Sequence, residues 1–208
     1  MTALSLSGEK LDALQELVNI GMGRAGAALA KALGAFVQLA VPALDMIDRQ
    51  RVGSLLDQGS WANNHEVEVV RQRFFGALMG ESVMVFDSQG HGELFDLLGH
   101  GPDANASERQ EALLDLANVV IGACVNGIAE PINEAVSFAP PARIGGRPDL
   151  HAYISREPTA FSQGLVVNVD FKLEAHAFFS RVLVFLPEHS IARIDQAITQ
   201  LLDGLAAV

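Results

Sequence analysis

One cysteine, Cys124, stands among 208 residues, so no disulfide can close within the chain. Basic residues are also scarce: 14 Lys and Arg face 25 Asp and Glu, for a net charge of -11. They form no cluster. A nucleic-acid binder needs a basic face to neutralise phosphates, and that class is excluded here. An anionic membrane surface is excluded for the same reason. The first ten residues carry neither a basic n-region nor an apolar h-region, so no signal peptide is expected there. No uncharged apolar run reaches membrane-spanning length. The six histidines (His65, His91, His100, His151, His176 and His189) show no H-x-x-x-H or H-E-x-x-H spacing. No G-x-S-x-G elbow occurs either. These absences lead to the expectation of a cytoplasmic protein with no metal or cofactor of its own, no nucleic acid and no membrane. Half of the residues are hydrophobic, enough for one well-cored domain or two small halves sharing a core.

What the sequence does contain is itself, twice. A shift of 99 residues aligns the two halves without a gap. Glu9 falls on Glu108, Leu14 on Leu113, Asn19 on Asn118, Gly23 on Gly122 and Pro42 on Pro141. Over residues 9–42, 10 of 34 positions are identical. The register holds far downstream, where Val83-Met84-Val85-Phe86 meets Val182-Leu183-Val184-Phe185. We read one domain over 1–208 made of two repeats, about 5–99 and 104–206, joined by the breaker-rich Gly99–Ser107.

Each repeat follows one plan. A long helix is expected over 8–33 and again over 108–130, the second opened by a capping box of Ser107 and Gln110. Ser7 is the expected cap of the first. Apolar, β-branched runs at His65–Phe75, Ala77–Phe86, Gly164–Leu173 and Ala175–Leu186 have the character of strands. Short helices close the repeats at 91–98 and 189–205. Helices packed on an antiparallel sheet make the class α+β, with pseudo-two-fold symmetry.

On the first helix, Leu11, Leu14, Val18, Met22, Ala25 and Leu29 gather on one side as a core face. Asp12, Glu16 and Asn19 form a stripe facing away from it, extended by Gly23, Gly26 and Ala30. Glycine costs about 1 kcal/mol against alanine inside a helix. Two on one stripe call for a reason, and close approach by another molecule supplies one. The second helix repeats the stripe as Glu111, Asp115 and Asn118, continued by Gly122 and Ala129. Cys124 falls on its core face and reads as a small buried residue. Gly21, Gly23 and Gly26 match G-x-G-x-x-G, but inside a helix rather than after a strand, which excludes a dinucleotide site.

Asp12, Glu16, Asn19 and Pro42 resemble, in type and spacing, a motif of the CheC/CheX/FliY family of response-regulator phosphatases. Glu111, Asp115, Asn118 and Pro141 give a second copy with the same spacing. The resemblance extends along the chain, because the duplication too is similar to a family feature. It implies a chemotaxis or two-component signalling protein that hydrolyses the aspartyl phosphate of a CheY-like response regulator. It assigns water orientation to Asn19 and Asn118, and docking against the receiver to Glu16 and Asp115, flanked by Asp12, Glu111, Gly23 and Gly122. The only metal implied is Mg²⁺ bound by the partner receiver domain. Asp115 departs from the family's Glu by one methylene, which shortens its reach. Two alternatives share this fold: a non-catalytic scaffold that binds a response regulator, and a partner of a CheD-like deamidase.

Overall fold

The computed structural model describes residues 6, 8–40, 43–48, 67–87, 91–98, 101, 104–146, 163–173 and 179–206. Ser7, Pro42 and His65 lie outside the described residues. Helix α1 spans Gly8–Leu33, followed by strands β1 (Val37–Leu39) and β2 (Ala43–Asp48). The long strands β3 (Val67–Gly76) and β4 (Gly80–Asp87) precede the short helix α2 (His91–Leu97). The second half opens with α3 (Ala106–Ala129) and a 3-10 turn at Glu130–Ile132. Then come β5 (Val136–Phe138), β6 (Ala142–Gly145), β7 (Gln163–Leu173), β8 (Phe179–Pro187) and α4 (Glu188–Ala206).

The elements recur at the spacing of the repeat: β1 begins at 37 and β5 at 136, β2 at 43 and β6 at 142. Gly34 and Asn133, one repeat apart, both adopt left-handed backbone, with φ of 64° and 55°. Each ends its helical run at the residue type that tolerates this conformation, Gly for want of a Cβ and Asn through its short polar side chain. The sequence leads to an extended segment before Pro42 and before Pro141, where β1 and β5 stand, but none of the four short strands was expected as a strand of the sheet. At three to six residues each, they are too brief to show a period of two.

One cap differs from expectation. Helix α3 is opened not by Ser107 and Gln110 but two residues earlier. Asn105 Oδ1 accepts from the backbone N–H of Ser107 (2.9 Å) and Glu108 (3.1 Å), and Asn105 N donates to Glu108 Oε2 (2.8 Å). Asn caps a helix as well as Ser, and Glu108 stands three residues on from Asn105, so the box closes there.

All strand pairs are antiparallel, in a single sheet ordered β1-β7-β8-β4-β3-β5, with β2 also on β7 and β6 also on β3. The short strands are exchanged between halves: β1 and β2 pair with β7 of the second repeat, and β5 and β6 with β3 of the first. The halves meet where β4 pairs β8. There Val83 lies opposite Leu183 and Met84 opposite Val182. Met84 and Val182 join the core under the helices, whereas Val83 and Leu183 lie on the other face of the sheet, and the pseudo-two-fold relation of the halves crosses this seam. The repeated apolar block is this seam. Neighbouring residues along it are buried alike, and because successive strand residues point to opposite faces, both faces are covered. That is why the strands read as continuous apolar runs.

One face carries the helices. Leu14, Val18, Met22 and Leu29 of α1, and Leu113, Ala117, Ile121, Cys124 and Ile128 of α3, join Val70, Met84, Val167 and Val182 in one core. Ile191, Ile194 and Ile198 of α4 complete it. Full burial of each large aliphatic side chain contributes about 1.5–3 kcal/mol. The span Ala106–Ile132 is long and apolar enough to cross a membrane, but most of it is packed inside this fold. Helix α1 packs along α3 so closely that a Cβ on Gly21 would lie 1.9 Å from the carbonyl oxygen of Gly127. Gly21 therefore answers to the helix interface. Gly23, two residues on, faces open space.

These two glycines should behave oppositely. Gly21→Ala is expected to destabilise the chain by about 3 kcal/mol, through forced separation of the helices. Gly23→Ala is expected to stabilise it by about 0.5–1 kcal/mol, through helix propensity. Urea denaturation measures both, and a loss at Gly23 like that at Gly21 would contradict the assignment of their roles.

Candidate functional site

The amphipathic pattern of α1 decides what faces outward. With Leu14, Val18, Met22, Ala25 and Leu29 buried, Asp12, Glu16 and Gly23 are exposed and Asn19 is half-buried. On α3, Glu111, Asp115 and Asn118 are exposed and Gly122 is half-buried. Both stripes are thus present as continuous helical rows. Ala129, expected to extend the second stripe, is instead fully buried. The end of α3 turns into the 3-10 turn and packs on α1, which covers it. Pro141 is half-buried beyond β5.

The first stripe forms one wall of a groove of about 930 Å³. Its lining includes Glu16, Asn19, Gly23 and Gly26 from α1, Phe36 from the connection to β1, and Asp170 from β7. Gly23 and Gly26 keep the α1 side low. Phe36 is 61% exposed and stands as an apolar rim. Asp170 is held by Arg181 of β8, whose Nε donates to Oδ1 at 2.6 Å and whose Nη2 donates to Oδ2 at 3.2 Å. This two-point pairing fixes the carboxylate in one orientation. Asn19 Oδ1 is buried and has no hydrogen-bond partner. An orphaned amide oxygen costs about 1–3 kcal/mol, and turning it out into the groove, toward a donor, recovers that cost.

The second stripe is built differently around its Asn. Asn118 Oδ1 accepts a hydrogen bond of 2.6 Å from Nε2 of Gln72, a residue of β3 that is 1% exposed. Gln72 Nε2 also donates to the carbonyl of Ala139 at 2.9 Å. Neither Gln72 nor the groove residues Phe36 and Asp170 were sequence candidates. Gln72 left one signal: it interrupts the core-facing alternation between Val70 and Phe74. Phe36 and Asp170 left none, because their approach to α1 depends on the exchange of short strands. Among the described residues, no three His, Cys, Asp or Glu side chains gather as a metal site.

These features define the structural class: a duplicated α+β fold of the CheC/CheX/FliY type, with polar stripes on two long helices. No protein-family model matches the chain, and neither does any curated protein sequence. Solved structures do. Thermotoga maritima FliY is similar with a TM-score of 0.65 at 20% identity, covering 95% of this chain and 99% of that one. The FliM middle domain from H. pylori gives 0.59 at 12% identity, covering 92% and 99%. The chemotaxis protein CheX from Vibrio vulnificus gives 0.51 at 15% identity, covering 82% and 96%. At these identities the likeness is one of fold.

Cys124 lies at the centre of α3 but outside this chemistry. It is fully buried, and burial pushes its thiol up to about 12. An unfolded thiol ionises near 8.5, so the folded chain holds the extra proton between those values and stability falls as pH rises through them. In the native protein at pH 8, a thiol reagent is expected to leave Cys124 unmodified for hours and to label it at once in denaturant. Rapid native labelling would contradict its burial.

Proposed function

We propose that the chain is a phosphatase for the aspartyl phosphate of a CheY-like response regulator, acting in chemotaxis or a related two-component pathway. The observation that carries this reading is the buried, unpartnered Oδ1 of Asn19, on the wall of a groove beside Glu16. An aspartyl phosphate is already activated; what limits its hydrolysis is placing a water in line with the scissile bond. Phosphoryl transfer responds mainly to such placement and to electrostatics. An amide suits the task, since its oxygen accepts from the water and its nitrogen donates to phosphoryl oxygen. In the step, the water oxygen bonds to phosphorus, the bond from phosphorus to the aspartyl oxygen breaks, and inorganic phosphate leaves a free carboxylate on the regulator. Mg²⁺ held by the receiver's own carboxylates neutralises charge on the phosphoryl group. Glu16 pairs with a lysine beside that group and fixes the docking, with Asp12 at its flank. Gly23 and Gly26 let the receiver backbone come close. In the second stripe, Glu111, Asp115, Asn118 and Gly122 repeat the same pattern of residues with a shorter acid.

The alternative reading is a scaffold of the same fold that binds a response regulator without hydrolysing its phosphate. A CheD-like deamidase is a further partner we propose for either case, and a pull-down against such an enzyme tests it.

The deciding assay is phosphate release from a phosphorylated chemotaxis-type regulator in Mg²⁺. The wild-type chain is expected to accelerate it. Asn19→Ala should cut that acceleration by about 100-fold, the scale of losing one positioned polar group, with little change in binding. Glu16→Gln should instead raise the concentration of regulator needed for half-maximal rate. Binding with no acceleration by the wild-type chain would select the scaffold.

A further inference from the structure

Asn19 and Asn118 occupy the same position of the two repeats, yet their surroundings have parted. The backbone gives the correspondence. Ala40 N donates to the carbonyl of Asp170 at 2.9 Å, and Ala139 N, one repeat later, donates to that of Arg73 at 2.9 Å. Gln72 immediately precedes Arg73, and Val169 immediately precedes Asp170. Gln72 and Val169 thus stand at matching places, each buried on the face that meets the helices. Gln72 offers a donor there, and its Nε2 lies 2.6 Å from Asn118 Oδ1. Val169 offers none, and Asn19 Oδ1 has no partner.

The same side-chain rotation therefore has opposite signs in the two halves. Turning Asn19 outward satisfies an orphaned oxygen. Turning Asn118 outward breaks a short bond and leaves Gln72 Nε2 with the Ala139 carbonyl alone. Gln72 Oε1 is already buried without a partner, so its amide is held only through its donors. The Gln72 end of this bond is buried, so breaking it leaves a donor that solvent does not reach. We infer that Gln72 is a positioning residue that latches Asn118 into the fold and withdraws the second stripe from hydrolysis, leaving Asn19 to act alone. The catalytic half of this inference rests on the phosphatase reading; the latch itself does not.

Two measurements separate them. In the wild-type chain, the Nε2 protons of Gln72, followed by nitrogen-edited NMR, should exchange with solvent roughly 100-fold more slowly than those of a free glutamine. Exchange at the free rate overturns the latch. In phosphate release, Asn19→Ala should keep only about a hundredth of the wild-type acceleration. Adding Gln72→Val, which copies the residue of the first half, should restore at least about a tenfold acceleration. Full activity in Asn19→Ala, or no recovery in a folded Asn19→Ala/Gln72→Val chain, overturns the withdrawal of the second stripe. No acceleration by the wild-type chain overturns the phosphatase and the catalytic half with it, while proton exchange still decides whether Gln72 holds Asn118.

Discussion

Backbone contact between α1 and α3 at Gly21 and Gly127 sets the geometry on which the remaining packing depends. Two helices that touch this closely can share one face of one sheet, and their apolar sides then merge into a single core. Their opposite sides are left outward, which is where the polar rows stand. A larger residue at either glycine would move one helix away, opening the core beneath and shifting a row relative to the short strand beside it. The groove at Asn19 is a consequence of that spacing, since its walls come from α1 on one side and from β1 and β7 on the other.

Duplication gives the chain two copies of every element but does not oblige them to remain alike. The copies keep what folding demands: the left-handed residue after each helix, the apolar block at the β4–β8 seam, and the exchanged short strands. They differ in what folding leaves free. Phe36 has Ala135 as its counterpart, Glu16 has Asp115, and Val169 stands where Gln72 stands. Each difference concerns the polar rows or their rims. One copy has kept an open groove and a polar atom in need of a partner. The other has used its amide to bind the fold together.

Much of this was legible in the residues. The limits of α1 followed from the amphipathic run 8–33, and the strands from their β-branched composition, because long elements repeat their period often enough to declare it. The outward placement of Asp12, Glu16, Asn118 and their neighbours followed from the same arithmetic. The cap at Asn105 was missed because two overlapping boxes satisfy one rule and only the backbone chooses between them. The burial of Ala129 was missed because helical periodicity ends where the 3-10 turn begins. Gln72 and Asp170 lie far from the rows in sequence, and a pattern read along one helix carries no information about which strand will lie beside it.

The exchange of short strands also bears on how the chain acquires its structure. Strands β1 and β2 cannot find their partner until β7 exists, more than a hundred residues later. During synthesis the first repeat emerges with an unpaired edge and must wait for nearly the whole of the second. Contacts so distant along the chain slow folding, because loop closure comes before any contact rewards it. The waiting half exposes apolar strands that favour association with other nascent chains. The arrangement that makes the two halves inseparable in the finished fold thus makes the unfinished one dependent on prompt completion, or on a chaperone.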